Sequence, residues 1–296
     1  MANLKEVRNR ITSVSSTQQI TRAMKMVSAA KLKRATNAIV QLRPYAEKLK
    51  EILANLSASV EGGASPYTIE RKPRKILLIV VTSNRGLAGA FNANVIKATN
   101  LLISEKYSEQ HKKGNVKIIA IGKKGQDYYK KRKYEVLGNH SELFAKLNFE
   151  NASEITEFVM KGFLDGEYDK VEVLYNQFKN AAVQFLKVEQ LLPLSPLENE
   201  SKKEEAQLAI DYILEPSKEE IIEELIPKSI KIQLYKAILD SHASEHGARM
   251  TAMDKATDNA GELLKALKLS YNQARQAAIT TELTEIVSGA AALSNG

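Results

Sequence analysis

The sequence predicts a mixed α/β and α+β fold in which two long terminal helices pair as an antiparallel coiled coil and flank a small Rossmann-like α/β domain. Two observations support this prediction. At both ends of the 296-residue chain, an apolar or small-residue stripe recurs at alternating spacings of three and four, which is the pattern of a coiled coil. The middle of the chain alternates short apolar runs with helical periodicity, as parallel strands and their covering helices do. We therefore expect a helix over residues 1–60, an α/β domain over 70–215 and a second helix over 217–296.

The N-terminal helix carries the longer of the two patterns. Thirteen of its seventeen seam positions are apolar, and the pattern persists for roughly eight heptads. At about 1.5 Å per residue, such a helix is a rod of roughly 90 Å. The glycine-containing segment 61–66 is expected to end it. The seam positions are Leu4, Val7, Ile11, Val14, Gln18, Thr21, Lys25, Ser28, Leu32, Ala35, Ile39, Leu42, Ala46, Leu49, Leu53, Leu56 and Val60.

The seam has one polar interruption, because its positions from Gln18 to Ser28 are all polar. In the same region the apolar residues move to Ile20, Met24 and Val27, as they do where a stutter interrupts a supercoil. We therefore expect a local shift of the seam there. Pro44 is expected to kink the helix without ending it.

The central segment predicts a layered sheet with helical cover. Its short apolar runs are typical of buried parallel strands, and each is followed by a helical pattern. The predicted strands are Lys75–Thr82, Val116–Gly122, Lys170–Phe178 and Val183–Leu191, and the predicted helices are Asn92–Gln110, Lys123–Lys133 and Ala152–Leu164. Polar residues predict a surface loop over Ser195–Glu205, and Asp211–Leu214 is predicted to be one last strand.

The C-terminal helix is predicted to extend from about Pro227 to Ala292, because proline suits the first turn of a helix. Its stripe consists mostly of small side chains, which let a neighbouring helix approach closely. Since neither terminal helix can bury its stripe alone, an antiparallel pair is expected. The stripe positions are Ala260, Leu263, Leu267, Ser270, Ala274, Ala277, Thr281, Thr284, Ser288 and Ala291.

The positive charge of the chain is concentrated near its N-terminus. Residues 1–60 contain eleven Lys or Arg and three Glu, which equals the net charge of +8 of the whole chain. No acidic residue occurs between Glu6 and Glu47. This pattern indicates either a solvated helix face or an acidic partner, which is nucleic acid, anionic lipid or an acidic protein surface. Nucleic acid is the less favoured partner, because the seam is committed to another helix and no base-reading motif is present.

Composition excludes several kinds of site. The chain has no cysteine, which excludes disulfides, thiol catalysis and cysteine-based metal sites. Its longest apolar run, Ile76–Val81, is far shorter than the roughly 20 residues of a membrane span. The first residues enter a patterned helix without an apolar signal core. We expect a cytoplasmic protein that does not span a membrane.

The segment Thr82–Asn92 (TSNRGLAGAFN) occupies a strand-to-helix turn, where phosphate-binding loops occur. Gly86 and Gly89 give only a G-x-x-G spacing, and no lysine follows to reach a phosphate. Gly122 and Gly125 repeat this spacing after the second strand. The pattern favours a tight turn over a nucleotide site, so we expect no nucleotide or other cofactor.

A candidate metal site lies in the C-terminal helix. Residues His242 to His246 (HASEH) fit the H-x-x-E-H pattern of one group of zinc proteases, and two histidines four apart on a helix face the same way. Helical periodicity then continues for about 45 residues, which carries any third ligand away. No Ser-His-Asp triad or pair of catalytic carboxylates can be assembled either. We therefore expect exposed or partner-facing histidines, with no metal and no catalytic residue.

Three segments give the chain a resemblance to one family along its whole length. They are Arg10–Ala35 (RITSVSSTQQITRAMKMVSAAKLKRA), Thr82–Asn92 and Ala243–Leu293. These segments resemble the N-terminal, central and C-terminal signatures of the gamma subunits of bacterial F-type rotary ATP synthases. The family's central segment often has Cys and Gly where this chain has Ala88 and Ala90, and nothing here resembles the regulatory insert of chloroplast members.

The resemblance implies a rotary function. The paired helices are expected to form the central rotor shaft, which couples proton or sodium flow through a membrane ring to ATP synthesis or hydrolysis. The implied partners are the alpha and beta subunits of the catalytic hexamer, the epsilon subunit and the ring of c subunits, at the cytoplasmic face of the bacterial plasma membrane. The resemblance also implies that the chain has no catalytic residues or cofactor of its own. The alternative is a nucleotide-dependent α/β enzyme with coiled-coil extensions.

The resemblance also assigns contact residues. The N-terminal contacts are expected to meet acidic loops of the beta subunits, and the C-terminal contacts are expected to meet catch loops and a hydrophobic bearing. The N-terminal set is Met24, Lys25, Lys31, Lys33 and Arg34. The C-terminal set is Arg249, Arg275, Gln276, Ile279, Thr280, Glu282, Leu283 and Ile286, with Val287 on the apolar face of the same segment.

Elemental analysis of the purified complex tests the interpretation of the histidine pair. We expect no stoichiometric zinc on this chain, because the helix after His246 carries any third ligand away and a catalytic zinc site needs three protein ligands. Stoichiometric zinc that disappears in the His246→Ala variant would contradict this prediction.

Overall fold

The computed structural model describes residues 4–58, 65–194 and 217–294. The chain divides into two compact units, one formed by residues 1–28 with 250–296 and the other by residues 29–249. The predicted surface loop (Ser195–Glu205), the predicted last strand (Asp211–Leu214) and most of the segment expected to end the first helix lie outside the described residues.

The described elements alternate helices and strands between two very long helices. The helices are α1 (Leu4–Ala58), α2 (Phe91–Glu105), α3 (Ser108–Lys112), α4 (Lys123–Lys131), α5 (Phe149–Leu164) and α6 (Lys218–Ser294), with a 3-10 helix at Ser141–Ala145. The strands are β1 (Ile76–Val81), β2 (Val116–Ile121), β3 (Glu135–Val136), β4 (Lys170–Phe178) and β5 (Gln184–Leu192). All four predicted strands are present, and the predicted helix 92–110 is divided into α2 and α3. In the part of the chain that is described, no helix has the length and apolarity needed to cross a bilayer.

The start of α6 differs from the prediction. The helix begins at Lys218, so the expected start near Pro227 is wrong. The Oγ of Ser217 accepts a hydrogen bond of 3.2 Å from the N–H of Glu220, which satisfies one of the free N–H groups at a helix start. Pro227 lies inside the helix, where it costs about 3 kcal/mol. Burial of the neighbouring Ile226 offsets part of this cost.

The sheet lies within the unit formed by residues 29–249. Its five strands are ordered β3-β2-β1-β4-β5. The four strands β1 to β4 are mutually parallel where they pair, and β5 is antiparallel to β4. The central strand β1 is buried along all six residues, which is why it reads as a continuous apolar run. The two-residue β3 was not predicted.

Helices cover both faces of the sheet. Alternate residues of β1, beginning with Ile76, pack in one cluster with residues of α2, α4 and β2. The residues between them, beginning with Leu77, pack in a larger cluster with α5 and with the parts of α1 and α6 that belong to this unit. The two terminal helices are therefore part of the core of the α/β domain. We infer that the α/β domain needs both terminal helices to cover one face of its sheet.

Within the same unit, α1 and α6 pair antiparallel through apolar side chains. Ala35 and Ile39 of α1 form a buried cluster with Leu239 and Ala243 of α6. Further along α1, Leu53 joins the larger core together with residues near the start of α6. Residues later in α1 thus contact residues earlier in α6, so the two helices are antiparallel, as predicted.

In the other unit, α1 and α6 pair through polar side chains. The Oγ1 of Thr257 donates a 2.8 Å hydrogen bond to the Oγ1 of Thr21, and the Nε2 of Gln18 donates to the carbonyl oxygen of Thr257 at 3.4 Å. Lys25 forms an ion pair with Asp254. Three of the four polar seam positions of α1, Gln18, Thr21 and Lys25, therefore have partners on α6.

The expected shift of the seam in α1 is wrong. Ile20 and Val27 are 59% and 57% exposed, whereas Thr21 and Ser28 are buried. The reason is that hydroxyl, amide and ammonium groups of α1 find partners on α6, so that they can be buried without loss of hydrogen bonds. Ile20 and Val27 are left on the outer side of the pair.

The last part of α6 is not covered by any described part of the chain. Every described side chain from Arg275 to Leu293 is exposed. The predicted small-residue stripe is consequently buried only in its first part, where Ala260 is buried and Ala274 is half-buried. Leu263 is 49% exposed, and Leu264 is half-buried in its place. The prediction of a continuous buried stripe is therefore wrong for residues 277–291 in the single chain.

Gly122 follows β2 at a position where a side chain has no room. Its φ is +104°, and a Cβ there would lie 2.2 Å from the carbonyl oxygen of Thr82. We expect Gly122→Ala to lower the free energy of unfolding by about 3–5 kcal/mol, because a positive φ and an overlap with buried backbone cannot both be relieved locally. Urea unfolding of the full chain, followed by tyrosine fluorescence, measures this change.

Gly114→Ala is the matched control. Gly114 also has a positive φ, +72°, but nothing lies within 4 Å of its Cβ position. We expect this variant to lower the free energy of unfolding by only about 1 kcal/mol, which is the cost of placing a non-glycine residue at a positive φ. Equal losses in the two variants would show that the overlap with Thr82 is unimportant.

Candidate functional site

The basic face of α1 is the first candidate surface. Lys31, Lys33 and Arg34 are exposed, whereas Met24 and Lys25 are half-buried. None of the three exposed cations has an ion pair within the described residues, while Lys25 is held by Asp254 as described above. Three of the five residues assigned by resemblance are therefore free to meet a partner.

The uncovered end of α6 is the second candidate surface. It carries the polar residues assigned by resemblance and an apolar stripe along one side. The exposed fractions of Ile279, Leu283 and Ile286 are 49%, 57% and 62%. The polar residues Arg275, Gln276, Thr280 and Glu282 are also exposed. Apolar side chains repeated at this spacing on an uncovered helix indicate a surface that is buried by another chain.

Arg249 differs from the other assigned residues because it is buried, with 8% of its surface exposed. Its Nη1 donates to the carboxylate of Glu245 at 2.6 Å. Its Nη2 donates to the carbonyl oxygens of Arg85 and Gly86, at 3.1 and 3.4 Å, in the turn between β1 and α2 (Thr82–Asn92). Arg249 thus fastens α6 to the turn. The sequence analysis did not predict this pair, and the spacing of four between Glu245 and Arg249 is the signal from which it could have been predicted.

The turn between β1 and α2 is closed by its own polar side chains. The Oδ1 of Asn92 accepts from the backbone N–H of Ser83 at 2.9 Å, and the Nδ2 of Asn92 donates to the Oγ of Ser83 at 2.8 Å. Leu87 and Gly89 have positive φ values of 63° and 56°. The predicted tight turn is therefore confirmed.

The same turn is also bonded to its neighbours in the fold. The Nδ2 of Asn84 donates to the carbonyl oxygen of Ser141 at 2.6 Å, and its Oδ1 accepts from the N–H of Lys123 at 2.9 Å. The Oγ1 of Thr82 accepts from the N–H of Gly125 at 2.9 Å. These side chains hold α4 and the 3-10 helix in place, which is a structural role for a motif at a position where other α/β proteins bind phosphate.

Neither histidine of the pair in α6 is exposed, so the expectation of exposed histidines is wrong. His246 is 4% exposed, and His242 is half-buried. The ring of His242 stacks on Phe144 of the 3-10 helix, with 5.5 Å between ring centres and an angle of 11°. The two Nε2 atoms of His242 and His246 lie 3.1 Å apart. The 3-10 helix that covers His242 was not predicted, which explains the error.

The contacts of the pair define its protonation. The Nη1 of Arg249 lies 3.4 Å from the Nδ1 of His246, and because arginine can only donate, this Nδ1 must be an acceptor. The proton of His246 is then on Nε2, from which it is donated to the Nε2 of His242. The result is a one-directional chain of hydrogen bonds from Arg249 through His246 to His242.

Burial keeps both imidazoles neutral. The pKa of His242 is lowered to about 4 and that of His246 to about 3, in both cases mainly by burial and to a smaller extent by the nearby cations Lys31 and Arg249. Burial also raises the pKa of Glu245, against the opposing effect of Arg249. In the described residues, no cluster of three or more His, Asp, Glu or Cys side chains is placed to hold a metal ion. The guanidinium beside His246 also disfavours a second cation there.

Because both histidines are neutral in the folded chain, the free energy of unfolding is expected to fall as the pH is lowered. An unfolded histidine binds a proton below about pH 6.5, whereas folded His246 does so only near its pKa of about 3. Folding stability from this group is therefore lost as the pH falls below about 6.5, by roughly 1.4 kcal/mol per pH unit. We expect the difference in unfolding free energy between the wild type and His246→Gln to decrease by about 1–2 kcal/mol from pH 7 to pH 5.

Urea titrations at several pH values measure the unfolding free energy of the wild type and of His246→Gln. The contributions of titratable groups that both proteins share cancel in the difference. If the difference in unfolding free energy between the wild type and His246→Gln is the same at pH 5 as at pH 7, the assignment of a neutral pair is refuted.

Comparison with known proteins places the chain in a family. The sequence model of the ATP synthase family matches residues 3–293. The ATP synthase gamma chain of Cytophaga hutchinsonii is 58% identical over 296 residues and covers 100% of both chains. The ATP synthase gamma chain of Flavobacterium johnsoniae is 60% identical over 294 residues, with 99% of both chains covered.

Solved structures agree with this result. The central stalk and c-ring structure of the Tetrahymena thermophila mitochondrial ATP synthase contains a chain that is 26% identical, with a TM-score of 0.55, covering 80% of this chain and 99% of that one. A chain of the Euglena gracilis mitochondrial ATP synthase is 19% identical, covers 98% of this chain and 94% of its own length, and shares the fold with a TM-score of 0.66. Because the family model and both gamma chains match it along almost its full length, this chain belongs to the ATP synthase gamma chain family.

Proposed function

We propose that this chain is the central rotor shaft of an F-type ATP synthase, which couples ion flow through a membrane ring to ATP synthesis or hydrolysis. The observation that carries the proposal is the uncovered apolar face at the end of α6. A helix with Ile279, Leu283 and Ile286 all about half exposed or more needs a surrounding surface that removes this area from water. A sleeve formed by a hexamer of alpha and beta subunits supplies such a surface.

The basic face of α1 is proposed to meet the beta subunits. Lys31, Lys33 and Arg34 are exposed and unpaired in the described chain, so they are available to acidic loops. Arg275, Gln276, Thr280 and Glu282 are proposed to form the corresponding polar contacts of α6. Arg249 is proposed to act differently, from inside the chain, because its donors are already used by Glu245 and the turn.

Rotation would couple the distant catalytic sites mechanically. A shaft whose sides differ presents each surrounding subunit with a different surface in turn, so that each catalytic site is favoured in a different state. Such couplings between sites are typically about 1–3 kcal/mol. In this role the chain contributes no catalytic residue and binds no cofactor. It acts at the cytoplasmic face of the bacterial plasma membrane, with the epsilon subunit and the c-ring as its further partners.

The alternative function, a nucleotide-dependent enzyme, has less support. Its candidate phosphate loop uses its polar side chains to hold the fold together. Relatives at 58% and 60% identity along the whole chain are ATP synthase gamma chains. Purification separates the two functions, because a rotor subunit is expected to be isolated with alpha and beta chains, whereas an enzyme is expected to be active alone.

The basic face is tested by replacing Lys31, Lys33 and Arg34 together with Gln. Exposed charges rarely contribute more than about 1 kcal/mol to stability, so helix content and melting should change little. We expect the complex to assemble, but with a changed ratio of protons pumped to ATP hydrolysed, because part of a coupling energy of about 1–3 kcal/mol is removed. Proton pumping and ATPase rate in reconstituted vesicles, measured at several salt concentrations, give this ratio.

The matched control replaces Lys97, Lys123 and Lys187 with Gln. These lysines are exposed in the α/β domain, and the variant loses the same charge. The control is expected to keep the wild-type ratio. A triple variant of the α1 residues that also keeps the wild-type ratio and rate at every salt concentration would show that the basic face is only solvated surface.

A further inference from the structure

A second concentration of positive charge lies on the α/β domain, in three loops that each lead into a strand, two of which include the last residues of the preceding helix. Residues 71–75 (RKPRK) precede β1, residues 111–115 (HKKGN) precede β2, and residues 130–134 (KKRKY) precede β3. These loops contain four, two and four Lys or Arg residues respectively and no Asp or Glu. The three loops are separated by tens of residues in the sequence, so the sequence does not show whether they meet.

The sheet topology brings the three loops together. Strands β3, β2 and β1 are neighbours in that order and are parallel, so the loops that precede them emerge at one edge of the sheet. The Nε2 of Gln110 donates to the carbonyl oxygen of Pro73 at 2.9 Å, which links the first two loops. His111 stacks on Tyr134 with 5.0 Å between ring centres, which links the second and third. We call this surface the basic edge.

Most cations of the basic edge point into solvent. Two donate hydrogen bonds within the chain, Lys75 to the carbonyl oxygen of Gly166 and Arg71 to that of Phe163, both at 3.0 Å. The others are exposed, and no ion pair of theirs is present in the described parts of the chain. The exposed cations are Lys72, Arg74, Lys112, Lys113, Lys130, Lys131, Arg132 and Lys133. The loop before β4, which emerges at the same edge, carries Asp165, Glu167 and Asp169. The eight unpaired cations outnumber these three acidic residues, so the edge keeps a positive field in the surrounding solvent.

The composition of the basic edge favours one class of partner. Protein interfaces have an apolar centre, but no large apolar side chain is exposed on the described residues of the three loops. Single-stranded nucleic acid stacks on aromatic rings, yet Arg132 lies over the ring of Tyr128 at 3.7 Å and His111 covers Tyr134. Six of the eight exposed cations are lysines, which act as point charges without the paired geometry that arginine uses to recognise individual groups. This composition suits a diffuse anionic surface.

We propose that the basic edge binds the headgroups of an anionic phospholipid surface. Clusters of four to eight Lys or Arg bind such surfaces electrostatically, and attraction extends over about a Debye length, roughly 10 Å at 0.1 M salt. No insertion into the bilayer is needed. The interaction goes beyond the proposed rotor function and does not depend on it, because it is a property of the α/β domain.

The test measures binding of the full chain to vesicles by sedimentation. The edge variant replaces Lys112, Lys113, Lys130 and Lys131 with Gln. With vesicles in which about one third of the lipid is phosphatidylglycerol and the rest phosphatidylcholine, we expect the edge variant to bind about 1,000-fold more weakly than the wild type, because each lysine near an anionic surface contributes roughly a factor of five. Pure phosphatidylcholine vesicles are expected to bind neither. Wild-type binding should weaken steeply as salt is added.

The control variant removes the same charge from α1, by replacing Arg8, Arg22, Lys33 and Arg34 with Gln. All four are exposed, and this variant is expected to keep at least one third of the wild-type binding constant. A control variant that loses as much binding as the edge variant would overturn the proposal, because the attraction would then depend only on net charge.

Two further measurements separate other anions from a lipid surface. Glycerol phosphate, added at the same phosphate concentration as the vesicles, should not displace the chain, because it offers no dense array of charges. Displacement would overturn the proposal in favour of a site for a soluble phosphate. Tighter binding of a single-stranded oligonucleotide than of the vesicles, lost in the edge variant, would overturn it in favour of nucleic acid. Unchanged vesicle binding in the edge variant would also refute the proposal.

Discussion

The antiparallel pairing of α1 with α6 is the interaction on which the other elements depend. In the unit of residues 29–249, Ala35 and Ile39 meet Leu239 and Ala243, and the same helices provide a wall of the larger core. In the other unit the pairing relies on groups such as the Thr21–Thr257 hydrogen bond. A buried Ile contributes about 1.5–3 kcal/mol, whereas a hydrogen bond contributes about 1 kcal/mol. The apolar section is therefore the more strongly held of the two.

Arg249 connects this pairing to the α/β domain. Its guanidinium reaches Glu245 on its own helix, the carbonyl groups of Arg85 and Gly86, and the ring of His246. A segment that sits where α/β proteins bind phosphate is thus occupied by contacts within the chain. This geometry agrees with a structural role for the turn, because two of its carbonyl groups accept hydrogen bonds from Arg249.

The sequence was sufficient for the four longer strands, the two long helices and their antiparallel pairing, because each depends on a pattern within one segment. It was insufficient wherever a residue's environment depends on a distant segment. The seam near Thr21 kept its heptad register because α6 supplies polar partners, which no pattern within α1 reveals. His246 was expected at the surface because the element that covers its neighbour, a 3-10 helix of five residues, has no periodicity to detect. The basic edge depends on strand order, which local patterns do not determine.

The uncovered end of α6 has a mechanical consequence. Up to Ala274 the described residues of α6 share any load with a partner helix, but from Arg275 onward the chain offers a single helix with all its described side chains exposed. The resistance of a rod to twisting rises steeply with its cross-section, so a lone helix is a much softer torsional spring than a helix pair. Elastic deformation under torque would therefore be concentrated in the last twenty or so residues of α6. Any stiffness of the end in an assembled complex must come from the surfaces that enclose it.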